Sequence, residues 1–156
     1  MHVIFSFFIA LLALVIVHHL WTKVPRLPRA RDDWGAVASD DPRVAVAGMM
    51  FAVATADGGI TTFKEQQILL LLQQKLGLDE KTARLCLTGG RRVARRLDGD
   101  LNSRLHQMLP TIAQKCSPEE KKDVIAMLHT VSGAHGERIG PVRDGIGRVA
   151  ASLLDR

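Results

Sequence analysis

Tyrosine is absent, aromatic residues make up only 4% of the 156-residue chain, and just two cysteines occur. Cys86 and Cys116 stand alone, with no CxxC spacing and no histidine pair beside either, so they read as reduced packing residues rather than a disulfide or a zinc site. Few aromatics leave no stacking platform for single-stranded nucleic acid, and no nucleic-acid partner is expected. No segment alternates apolar and polar residues with period two, which removes strands and leaves an all-α fold. Catalytic signatures are missing too. The chain has no GxSxG, no HExxH, no glycine-rich phosphate loop and no Cys/His pair at a nucleophile spacing. His106, His129 and His135 are dispersed through helical context, and the expectation is a protein that is not an enzyme.

Charge is missing from one long stretch. Residues 3–17, VIFSFFIALLALVIV, carry none, and His18-His19-Leu20-Trp21 extend the run towards the roughly 20 residues a helix needs to cross a bilayer. The start lacks the basic residues of a cleaved signal peptide, and TKVPRLPRAR follows in place of a small-residue cleavage site. Residues 1–22 are therefore expected to be a retained membrane anchor. Lys23, Arg26, Arg29 and Arg31 flank its C-terminal end, which places residues 23–156 in the cytoplasm and the N-terminus outside. Ser6, Ala10 and Ala13 give the span a small-residue face for packing against another membrane helix. His18 and His19 read as interfacial polar residues rather than haem ligands, since one span offers one ligand.

The basic flank also explains the charge balance. It supplies four of the twenty-one Lys and Arg, leaving seventeen against sixteen Asp and Glu in residues 32–156, so the +5 of the whole chain falls to about +1 there. Excess positive charge is thus a topology signal. Residues 23–40, with Pro25 and Pro28 and no period, read as an extended linker.

From residue 41 onward the pattern is helical. Asp40 or Asp41 can cap a first helix with Pro42 in its opening turn, running to about Ala56. A second starts at Thr61 or Thr62 and ends near Gly77. Its centre, Ile68-Leu69-Leu70-Leu71-Leu72, is apolar on every side at 100° per residue, which predicts the buried middle of the bundle. Asp79 caps a third, weakened at Gly89-Gly90 and followed by RRVARR. A fourth spans about 100–115, with Pro110 as an expected kink or break. Ser117-Pro118-Glu119-Glu120 combines a cap, a first-turn proline and a capping-box Glu. The last helix, about Gly140 to Leu154, aligns Val142, Ile146, Val149 and Leu153 on one stripe.

Two places stand out as candidate sites. The first is the corner VATADGGITTFKEQQI at residues 53–68. An EF-hand loop fails here: with Gly58 at its obligatory glycine, Val53 and Thr55 occupy ligand positions and the bidentate-Glu position falls on Lys64. Two readings remain. In one, Asp57 and Glu65 share a rim and hold a divalent cation, with Thr61 or backbone carbonyls adding oxygens. In the other, Asp57-Gly58-Gly59 is only a turn and Glu65 favours the start of the next helix. The second place is Arg91, Arg92, Arg95 and Arg96, which share one helix face that Arg84 can extend. That face suits an acidic partner or anionic lipid; the plain reading is a solvated face partly neutralised by Asp98 and Asp100.

A weak internal echo links the corner to the C-terminal part. AMLHTVSGAHGERIGPVRDGI parallels MMFAVATADGGITTFKEQQI, with His135 where Asp57 stands 78 residues earlier. An ADG-x-I corner with an early-helix Glu, in an all-helical domain with a second similar corner, resembles the TerB-like family. The resemblance covers about residues 41–155. It implies a compact TerB-like bundle of about seven helices, a bacterial protein whose anchor would lie in the inner membrane, and acidic corners suggested to bind divalent metal or a partner. Asp57 and Glu65 match the first corner. At the second, His135 and Gly136 replace the acidic pair, leaving Glu137 and Asp144. A membrane-anchored co-chaperone branch of the family shares the layout of one span followed by a cytoplasmic domain, but its J-domain and HPD tripeptide have no counterpart here. The combined expectation is a membrane-anchored, non-catalytic interaction module or accessory subunit docked on a membrane protein complex. The alternative is a TerB-type, divalent-metal or stress-responsive protein.

Overall fold

The computed structural model describes residues 40–133 and 140–154. The proposed anchor and linker, with Ser6, Ala10, Ala13, His18 and His19, lie outside the described residues, as does the His135–Glu137 corner. Among the described residues no helix is long and apolar enough to cross a membrane. The described residues form six helices in order: α1 Pro42–Ala54, α2 Thr62–Leu76, α3 Glu80–Arg96, α4 Leu101–Lys115, α5 Pro118–Gly133 and α6 Gly140–Leu154.

Short side chains close most of the helix starts. Asp41, Thr61, Asp79 and Asp100 are the N-caps of α1 to α4, each accepting from a backbone N–H of the first turn. At α5 the expected capping box forms: Ser117 N–H donates to Glu120 Oε2 at 2.7 Å, and Glu120 N–H to Ser117 Oγ at 3.3 Å. These contacts satisfy donors that the helix itself leaves open.

The centre of the bundle is α1, not α2. All thirteen residues of α1 are buried, and it packs against α2, α3, α4 and α5. In α2 only Lys64, Ile68, Leu72 and Leu76 are buried, while Phe63 and Leu70 are 60% and 53% exposed. The run of leucines is apolar all round, but a helix is enclosed only if neighbours can approach on every side. PRVAVAGMMFAVA, rich in alanine with one glycine, permits that approach; the long side chains of α2 do not.

Gly90 shows how close the approach is. A Cβ built there would lie 2.4 Å from Gly48 N and 2.7 Å from Ala47 C. The glycine pair that reads as a weak point in sequence is therefore the crossing of α3 over α1, and α3 runs unbroken through RRVARR. Pro110 also fails to break its helix, because α4 continues across it with the proline on the exposed side. The stripe Val142, Ile146, Val149 and Leu153 of α6 is buried as expected.

Two sets of contacts fix the relative direction of α1 and α3. Gly48 meets Gly90, and Phe51 lies under Arg91 and Arg95. Increasing numbers match along both helices, so α1 and α3 run the same way. At the start of α1, Lys115 Nζ holds Asp40 through its carbonyl at 2.7 Å and its carboxylate at 2.5 Å. Thirteen residues at 1.5 Å each put the far end of α1 about 20 Å away. The 55–60 corner and the arginine face share that far pole.

Candidate functional site: the corner and the arginine face

The corner begins where α1 runs out of hydrogen-bond partners. Thr55 Oγ1 donates back to Phe51 O at 2.9 Å, and the chain reverses at Gly58, whose φ of +119° is open to glycine and strained for other residues. Thr61 then caps α2. The residue that ties the turn together is Lys64. It is only 5% exposed, and its ammonium donates to Ala54 O at 2.7 Å, Asp57 Oδ1 at 2.6 Å and Gly59 O at 3.4 Å. A cation thus already sits at the C-terminal end of α1, where carbonyls lack partners and the helix dipole is negative.

Glu65 turns elsewhere. Its Oε1 accepts from Arg91 Nη2 of α3, and the same guanidinium lies 5.5 Å from the centre of the Phe51 ring. Asp57 and Glu65 are therefore each engaged by a basic side chain, and among the described residues no three His, Cys, Asp or Glu converge as a metal-ligand set. A divalent ion at this corner would share both carboxylates with Lys64 and Arg91, whose positive charges oppose it.

The arginines form the second half of the site. Thr88, Arg91, Arg92, Arg95 and Arg96 line a shallow groove on α3. The buried Phe51 ring lies beneath two of them, with Arg91 at 5.5 Å and Arg95 at 5.8 Å from its centre, a spacing within cation–π range. Arg92, Arg95 and Arg96 are exposed or partly so, and among the described residues none of the three has a carboxylate partner. Among the described residues neither Asp98 nor Asp100 forms an ion pair with them. Asp100 caps α4 through Ser103 N–H at 2.8 Å, and that bond lowers its pKa; Asp98 offers only its carbonyl, to Gln107. Arg84, four residues from Glu80, pairs with it at 2.8 Å and does not line the groove. Arg91 Nε is buried and has no partner among the described residues.

A family model described as "Tellurite resistance protein TerB" matches residues 43–153. The chain belongs to the TerB family. Comparison with curated proteins and with solved structures finds no match. Within the TerB bundle the two sequence-derived candidates turn out to be one neighbourhood, joined by Glu65–Arg91. Sequence reasoning missed Lys64 as the keystone of the corner. A lysine inside a helix start reads as solvent-facing, and only the end of α1 folded over it explains its burial. The position was nevertheless marked, since Lys64 falls on the same stripe as Ile68 and Leu72. Phe51 was not singled out in the sequence either. Both cysteines are free and buried, and burial pushes each thiol up to about 11, in keeping with packing roles.

Proposed function

We propose that this TerB-family chain is a membrane-anchored, non-catalytic interaction module, whose helical bundle docks as an accessory subunit on a membrane protein complex. One observation carries the reading: Arg92, Arg95 and Arg96 lie on one face of α3 without carboxylate partners among the described residues, around a groove. Guanidinium forks of this kind recognise carboxylates and phosphates bidentately. The uncharged run at residues 3–17 and its basic flank support the anchor and the cytoplasmic placement. The test is affinity purification of the tagged full-length protein from native membranes in mild detergent. Stoichiometric membrane subunits with the wild type, lost with Arg92→Glu/Arg96→Glu, are the expected result. Recovery of the protein alone would sink the reading.

Family membership favours a second reading, a TerB-type divalent-metal or stress-responsive protein that uses Asp57 and Glu65. Their ion pairs with Lys64 and Arg91 weigh against it, because each places a competing positive charge beside the carboxylate. A metal titration separates the two readings.

A further inference from the structure

The same arginine groove contains its own competing anion. Arg91 is the one arginine of the group that is already paired: its Nη2 binds Glu65, its ring-facing side covers Phe51, and its Nε is buried without a partner among the described residues. A guanidinium with one edge taken and another donor unsatisfied is incompletely used, and a buried donor left open is costly. Glu65 comes from α2, twenty-six positions away in sequence, and it is 38% exposed in its side chain while Arg91 is 33% exposed. The pair is thus within reach of an incoming anion, and screening keeps it weak enough to exchange.

We propose that Glu65 is an internal latch on this groove: an acidic segment of a partner protein binds Arg92, Arg95 and Arg96 and takes Arg91 from Glu65. This rests on the docking role proposed above and adds its regulation. A protein segment is favoured over the lipid leaflet by charge spacing: an acidic peptide supplies several carboxylates in a row, matching guanidinium groups one helical turn apart along α3.

The experiment uses full-length protein in phosphatidylcholine nanodiscs and a fluorescent hexaglutamate peptide as probe, followed by anisotropy at low salt. Glu65→Gln should bind the probe about twofold to fivefold more tightly than the wild type, the size expected for releasing a half-exposed ion pair. Asp98→Asn makes the same charge change on an exposed carboxylate that pairs with no arginine among the described residues, and should change affinity less. In an Arg91→Ala background the gain from Glu65→Gln should fall to the size of the Asp98→Asn effect, because the contested cation is gone and only general repulsion of the probe is left. Equal effects of Glu65→Gln and Asp98→Asn would reduce the latch to general electrostatics and overturn it. A gain that survives Arg91→Ala undiminished would overturn it as well. Thermal melting of each variant checks folding, and the Arg91→Ala cycle decides the matter independently if Glu65→Gln is destabilised. Failure of the wild type and Glu65→Gln to bind the probe, or undiminished binding by Arg92→Ala/Arg96→Ala, would remove the docking face itself rather than the latch alone. Binding in phosphatidylcholine that is abolished in phosphatidylglycerol discs would assign the groove to the leaflet and overturn the acidic partner.

Discussion

At the scale of single residues, the corner is governed by one lysine. Lys64 gives its ammonium to the Ala54 carbonyl and to Asp57 while its stem runs through the core, so it caps α1 from outside that helix. Lys64→Met keeps the stem but removes the donor, leaving the end of α1 without this contact. The expected cost is about 1–3 kcal/mol, read as a lower urea midpoint at unchanged slope. An unaltered midpoint would show that water replaces the ammonium without loss. The same side chain explains why Asp57 is not simply an open metal ligand: its nearest charge is already a cation. Sequence spacing placed Asp57 and Glu65 near one turn, but could not say that each would find a basic partner first.

At the scale of helices, caps and crossings decide stability in opposite ways. The caps are local and titrate. Backbone and side-chain hydrogen bonds from Thr82 lower the pKa of Asp79, and those of Ser103 lower that of Asp100. A carboxylate whose pKa is lowered on folding contributes fully above its unfolded value of 3.8, and the contribution is lost as pH falls through the lower folded value. Stability should therefore drop below about pH 4, and Asp79→Asn/Asp100→Asn should flatten part of that acid limb in thermal melts. An acid limb identical to the wild type would contradict the assignment. The crossing of α3 over α1 is not local. Gly90→Ala drives a Cβ into the backbone of α1 and should cost about 3 kcal/mol or more. Gly147→Ala, in α6 with nothing within 4 Å of the added carbon, should gain about 0.5–1 kcal/mol from helix propensity. Chemical denaturation of the two variants separates close packing from mere helix preference.

At the scale of the molecule, the bundle brings the corner and the arginine face to one pole and holds the entry of the chain at the other. That arrangement makes metal binding measurable as a whole-domain property, since a ligand preferring the folded state raises the melting temperature. With Asp57 and Glu65 both ion-paired, the expected result is no rise with millimolar Ca²⁺, Mg²⁺ or Zn²⁺. A rise that disappears in Asp57→Ala would carry the metal-responsive reading instead.

Much of the bundle was legible in the residue order because its causes act within one helical turn. Thr61, Asp79 and the Ser117–Glu120 box mark helix starts through contacts three residues away, and the stripe of α6 reflects a 3.6-residue period. The all-α class and the TerB corner rest on the same short-range logic. Tertiary structure alone decided which helix is central, that Gly90 is a contact rather than a weakness, and that Glu65 meets Arg91. Those outcomes depend on how closely backbones can approach and on which charges are carried together by helices far apart in the chain. The period of one helix holds no information about its neighbour's distance. Packing supplies it.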